Sequence, residues 1–296
     1  MLSLPKILGK VDKIYNFLTE KWLIADESFA RLLATVLPAI KAGNTNDVEK
    51  RLTNEITAYA TTPYLADRWE LDDGSLPANS VAVINLEGPL YSWETFRLER
   101  LLIQALNNDK IAGVVLWING PGGMALHVDI AAALIEKAEK PIAAYIAGTM
   151  ASAHFWIGTA AARTFIASPL CTVGSVGTMG TYMNFKEFYK LNGIDYRDIY
   201  PDSSDLKNRW FRDIAEKNDE TRVKKELEDL HSHFAKDVAK YLGIEYNPEE
   251  PVFRGEIFNG DEAVNAGYVD QFGSFQDAVT WVLAQATIRE TSLIVP

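Results

Sequence analysis

The spacing of hydrophobic positions changes along the chain. Val11, Ile14, Tyr15 and Leu18, then Phe29, Leu32, Leu33 and Val36, recur at the three- and four-residue intervals of a helix with one apolar face. Residues 1 to about 60 are therefore expected to be helical. Over 61–80 the periodicity dissolves into Pro63, Gly74, Pro77 and the acidic run Glu70-Leu-Asp-Asp, which are linker and turn residues. A boundary near residue 78 follows, separating a helical N-terminal extension and linker (1–78) from one larger domain (79–296).

Past that boundary, short apolar runs alternate with helical patterns. Strands are expected at 81–86, 114–118 and 142–146, with helices at about 94–107 and 125–138 between them. This βαβ rhythm, joined by right-handed crossovers, predicts an α/β fold with parallel strands buried between helices. Further strands are expected at 163–167, 173–179 and 195–200, and helices at 185–192, 208–241 and from Phe275 onward. No internal repeat is found. No Asp, Glu, Lys or Arg occurs between Lys140 and Arg163, a length that would cross a bilayer. Pro141, Gly148, Ser152, His154 and Gly158 punctuate it, so a buried strand, turn and helix is expected instead of a membrane span.

Composition narrows the function. Among 296 residues, 48% are hydrophobic and 23% charged, enough for a real core. The balance of 40 acidic against 29 basic residues, a net charge of −11, has the wrong sign for neutralising nucleic-acid phosphates. One cysteine, Cys171, forms no internal disulfide, and four histidines give no metal-binding spacing, so no metal is expected. The first residues carry lysines and aspartate within their apolar pattern, unlike a secretory signal, and a cytoplasmic location is expected.

Two constellations could carry chemistry. Asn119-Gly-Pro-Gly-Gly123 follows an apolar strand and precedes a helix, so its glycines can turn the backbone and present N–H groups to an anion or oxyanion. A plain turn is the alternative; the phosphate-binding patterns GxGxxG and GxxxxGK[ST] are missing. Ser152 stands where a strand ends and a helix begins. Such a serine is commonly only a cap, yet the same place exposes its Oγ beside free amides, as a nucleophile requires. Of His127, His154, His231 and His233 none is placed by pattern as its base. A lysine made neutral by burial can replace histidine, and the residues alone leave many lysines open.

Taken together, Ile118-Asn-Gly-Pro-Gly-Gly123, Lys140-Pro-Ile-Ala-Ala, Met150-Ala-Ser152, Ser168-Pro, Gly174-Ser-Val-Gly177, Phe258-Asn-Gly-Asp-Glu-Ala263 and Gly267-Tyr-Val-Asp-Gln-Phe-Gly273 resemble the signal peptide peptidase A family of serine proteases, including its phage head-maturation branch. The resemblance covers about residues 80–285. It implies a Clp/crotonase-type fold of stacked ββα units and a Ser-Lys dyad that hydrolyses peptide bonds without a cofactor. By motif position Ser152 is the nucleophile and Lys207, in the loop before a long helix, the general base. Lys186 and Lys190 are competitors on an element that is superficial in the family. The implied oxyanion donors are the N–H groups of Gly122, Gly123 and Ala153.

The chain departs from the family pattern where Ala153 and His154 replace two glycines and Gly120 replaces a serine. The Ser-His-Asp triad of Clp proteases is unavailable, because no histidine lies between His154 and His231. The segment beginning Lys21-Trp-Leu-Ile resembles the tryptophan-led lead-in of phage relatives. That implies a capsid-assembly protease acting on capsid, scaffold or portal proteins; a soluble housekeeping peptidase and an inactive peptide-binding scaffold are the alternatives. In the family the serine and lysine are commonly contributed by adjacent units, so the resemblance and a single protease module per chain imply a homo-oligomeric ring, with completion of the dyad between neighbours left open.

Overall fold

The computed structural model describes residues 22–24, 34, 36, 38, 56–62, 68–182, 184, 186–195 and 197–294. Its strands and helices, in chain order, are β1 (Trp22–Ile24), β2 (Thr57–Thr61), β3 (Arg68–Trp69), β4 (Ser80–Glu87), α1 (Ser92–Asn107), β5 (Ile111–Gly120), β6 (Gly122–Met124), α2 (Val128–Glu136), β7 (Ile142–Ala151), α3 (Ala153–Thr159), β8 (Arg163–Ile166) and β9 (Thr172–Gly174). They continue with α4 (Lys186–Leu191), α5 (Arg209–Lys217), α6 (Thr221–Leu242), β10 (Ile257–Asn259), α7 (Gly260–Asn265), β11 (Gln271–Phe272) and α8 (Phe275–Ile294).

The expected α/β alternation is present. β4, β5 and β7 run parallel at the centre of a nine-stranded sheet, seven strands of which lie in the order β10-β9-β7-β5-β4-β2-β3 while β8 branches from β7 and carries β11. The long β7 forks: residues 143–146 pair with β8 and residues 149–151 with β9. Because both faces are covered, the central strands are apolar on successive residues, and Val81, Ala82, Val83 and Ile84 are all fully buried. One face packs Leu98 and Leu102 of α1, Val128 of α2, Phe155 of α3 and Phe234 of α6. The other packs Val81, Val115, Ala143 and Phe165 against Ala278, Val279 and Val282 of α8.

Four expectations need correction. Trp22–Ile24 and Thr57–Thr61 are strands where helix was expected; Ala34, Val36 and Pro38 are helical, and the rest of 1–55 lies outside the described residues. The five residues of β2 pair with β4, and β1 pairs with β6, so long-range ladders decided what local spacing could not. The ladder β3-β2-β4 joins residues on either side of residue 78. The expected strand over 173–179 stops at Gly174, because Ser175 turns into the left-handed region at φ 56°. Among the described residues of 195–200 there is no strand. The helix expected over 208–241 is two helices, broken at Asn218, whose φ of 53° suits asparagine better than most residues.

Among the described residues no helix is long and apolar enough to cross a membrane. The uncharged stretch after Lys140 folds instead as β7, a sharp turn at Ser152, and α3, which is buried along its whole length.

Candidate active site

The site lies where the parallel strands β5 and β7 end, the edge at which open α/β sheets bind ligands. β5 runs out at Asn119-Gly120, and after Pro121 the chain re-enters an extended path as β6. Gly122 has φ 104°, a conformation side chains resist. At Gly123 a Cβ would lie 1.9 Å from the carbonyl oxygen of Leu90, so only glycine lets these two backbones meet. Leu90 N–H donates to Gly122 C=O at 2.8 Å, and Met124 N–H donates to Leu90 C=O at 2.7 Å. Along an extended strand the amides alternate, so the N–H of Gly123 faces the opposite side, toward β1.

Ser152 is the single residue between β7 and α3. Its φ of 55° and ψ of −117° are strained for a residue with a side chain, at a cost of about 1–3 kcal/mol. The surroundings hold it there. Ser152 N–H donates to Gly174 C=O at 2.8 Å, and Ser152 C=O accepts from Trp156 N–H at 3.0 Å. Trp156 in turn stacks on Phe234 with centroids 4.7 Å apart and donates from Nε1 to Asp237 at 3.2 Å, clamping α3 to α6. Ser152 is fully buried, its side chain makes no cap hydrogen bond, and Oγ has no hydrogen-bond partner among the described residues.

His154 supplies what the sequence reading missed. Its ring is fully buried beneath Gly120, where a Cβ would lie 2.3 Å from Cε1. Nδ1 accepts the N–H of Gly122 at 3.0 Å. Burial pushes its pKa down to about 3, so the imidazole is neutral at ordinary pH and Nδ1 is free to accept. With Nδ1 accepting, the proton sits on Nε2, which has no partner among the described residues. The replacement of a family glycine by histidine was the available signal.

The donors expected for an oxyanion are therefore arranged differently from the sequence reading. Gly122 N–H is engaged by His154. Gly123 N–H faces Leu23 of β1, its partner in the antiparallel ladder. Ala153 is the first residue of α3, and its N–H has no acceptor within the helix.

Lys207 stands in the expected loop, between a short 3₁₀ turn (Asp202–Ser204) and α5. It is exposed; its N–H donates to Ser204 C=O at 3.1 Å and its C=O accepts from Arg212 at 3.2 Å. Within one chain Lys207 and Ser152 are not hydrogen-bonded to each other. Lys186 and Lys190 lie on α4, where Lys186 is exposed. Beside the serine, a cavity of about 610 Å³ is lined by Ile24, Gly120, Pro121, Ser175, Met179 and Ile257, with Ala151 at its edge. The described residues contain no His, Cys, Asp or Glu cluster suited to a metal ion.

The chain is 25% identical over 211 residues to protease 4 of Haemophilus influenzae, covering 68% of this chain and 34% of that protein. It is 24% identical over 291 residues to a putative signal peptide peptidase of Enterococcus faecium, covering 93% and 83%. Against capsid assembly protease C of Escherichia phage lambda the identity is 25%, covering 65% and 44%. The chain thus spans about a third of the Haemophilus protein. Among solved structures it is similar to a ClpP1 mutant from Listeria monocytogenes, at 14% identity and a TM-score of 0.44, covering 67% of this chain and 94% of that one. Residues 135–289, which hold β7, Ser152, Lys207 and α6, match Peptidase family S49, and with more than half of its length inside that match the chain belongs to this family.

Proposed function

We propose that the protein is a serine endopeptidase in which Ser152 is the nucleophile and Lys207 the general base, acting in phage capsid maturation. The observation that carries the reading is Ser152 itself: a strained residue at the head of a buried helix, with an uncapped and unpartnered Oγ. A serine acting only as a cap accepts a backbone N–H with its hydroxyl, which Ser152 does not do. The capsid role rests on the likeness to the phage lambda capsid assembly protease.

Lys207 must be neutral to accept the serine proton, and neutrality requires desolvation. It is exposed in a single chain, so the reading places Ser152 of one copy against Lys207 of its neighbour in a homo-oligomer, where the interface buries the amine. Neutral Lys207 takes the Oγ proton as the alkoxide attacks a peptide carbonyl. The N–H groups of Ala153 and Gly123 hold the oxyanion. Lys207 then returns the proton to the leaving amine, and water releases the acyl group.

The test is incubation of casein with the wild-type protein, Ser152→Ala and Lys207→Met, with fragments read by mass spectrometry. Cleavage by the wild type and its loss in each variant, by a factor on the order of 10⁴ or more, is expected. Retained turnover in either variant would overturn that residue's role. A second reading, a catalytically silent peptide-binding scaffold, is favoured by one observation, the capture of Gly122 N–H by His154. It predicts peptide binding with no cleavage.

A further inference from the structure

The path beside Ser152 already holds a strand. β1 lies between β6 on one side and Met179 on the other, bonded along both edges. Trp22 N–H donates to Met179 C=O, and Met179 N–H donates to Trp22 C=O, each at 3.1 Å. Because Trp22 turns its amide and carbonyl toward Met179, alternation turns those of Leu23 toward Gly123. The Leu23 carbonyl is thus the acceptor for the Gly123 N–H, the amide that the proposed mechanism needs for an oxyanion. Trp22 and Ile24, which share one side of the strand, are only 1% and 4% exposed. Trp22 meets Tyr91 edge-on at 6.3 Å, and Ile24 forms part of the wall of the cavity beside Ala151.

We propose that Trp22–Ile24 is an internal occupant of the peptide groove, which a substrate must replace strand for strand before it reaches Ser152. The proposal deepens the protease reading and rests on it for the identity of the groove. The groove's chemistry follows from its occupant: main-chain hydrogen bonds to β6 and Met179 give sequence-tolerant affinity, and two apolar positions, two residues apart, are read by side chain. The preferred partner is an extended segment with a large apolar residue followed, two positions on, by an aliphatic one. Replacement is feasible because the pairing with β6 is only three residues long and that with Met179 a single bridge, too little to be stable by itself.

Peptide binding tests this without requiring cleavage. The full-length Ser152→Ala protein is titrated with a fluorescein-labelled synthetic peptide, Lys-Trp-Leu-Ile-Ala-Asp-Glu, and anisotropy is read. The same titration is made with Leu23→Pro added, which deletes an N–H of the ladder, and separately with Ile24→Asp added, which leaves the backbone able to pair but disfavours its seat in the cavity. An internal strand that is docked about nine-tenths of the time weakens an external peptide about tenfold, so each added substitution is expected to tighten binding by about that factor. Unchanged affinity in both, with circular dichroism showing folded protein, would overturn the proposal. The casein assay separates the two readings: tighter peptide binding without casein cleavage by the wild type upholds the occupant and refutes the protease, and cleavage with unchanged peptide affinity does the reverse.

Discussion

The imidazole of His154 accepts the N–H of Gly122 across 3.0 Å, tying the helix that follows Ser152 to the glycine turn after β5. One side chain therefore sets the separation of the two halves of the site. It also withholds an amide from any oxyanion, so the same residue bears on architecture and on chemistry.

Removing the acceptor should cost stability. In His154→Leu the buried Gly122 N–H is left without a partner, and a loss of about 1–3 kcal/mol is expected from urea denaturation. His154→Gln, which can offer its side-chain oxygen, should lose less. Equal stability of His154→Leu and wild type would show that the bond is structurally idle.

The same histidine makes the fold acid-sensitive. Its pKa is about 3 in the folded chain, depressed by burial, against about 6.5 when unfolded. Between those values the unfolded state binds the extra proton, so this contribution to stability is complete above about pH 6.5 and is lost as pH falls toward 3, with a limiting slope of about 1.4 kcal/mol per unit. Thermal melts from pH 7 to 4 should fall more steeply for wild type than for His154→Gln. Parallel curves would rule out His154 as the source.

If neighbouring copies complete the dyad, inactive variants should rescue each other. Ser152→Ala and Lys207→Met, unfolded together and refolded at equal amounts, are expected to recover about a quarter of wild-type casein cleavage, the share of random interfaces that pair an intact serine with an intact lysine. No recovery, where the two proteins demonstrably co-assemble, would place the dyad within one chain.

The clamp of α3 on α6 should be energetically visible. Phe234 is fully buried against Trp156, and Phe234→Ala is expected to cost about 3–5 kcal/mol in chemical denaturation. A loss below about 1 kcal/mol would mean that α3 holds Ser152 in place without α6.

Much of the fold was legible because the central strands are buried on both faces and so read as unbroken apolar runs: 81–86, 114–118 and 142–146 all fall inside observed strands. The turn at Ser152 was legible from the glycine and serine residues that end β7. The helical reading of 1–60 failed at Trp22–Ile24 and Thr57–Thr61, since three- and five-residue strands carry too few positions to outweigh a helical period around them. The split at Asn218 was missed although Asn218 and Asp219 are weak helix formers, because the helix-favouring residues before and after them carry the pattern across a gap of only three residues.

The sequence alone determined the α/β layering, the family motifs and the placement of Ser152 at a strand-to-helix turn, all of which follow from hydrophobic period and from residues with special backbone freedom. Only the tertiary structure decided what faces that serine: His154 on the amide of Gly122, Leu23 on the amide of Gly123, and Lys207 left in solvent. These pairings join residues far apart in the chain or turned by a strained backbone, and a pattern of neighbours along the chain holds no record of which distant groups meet in space.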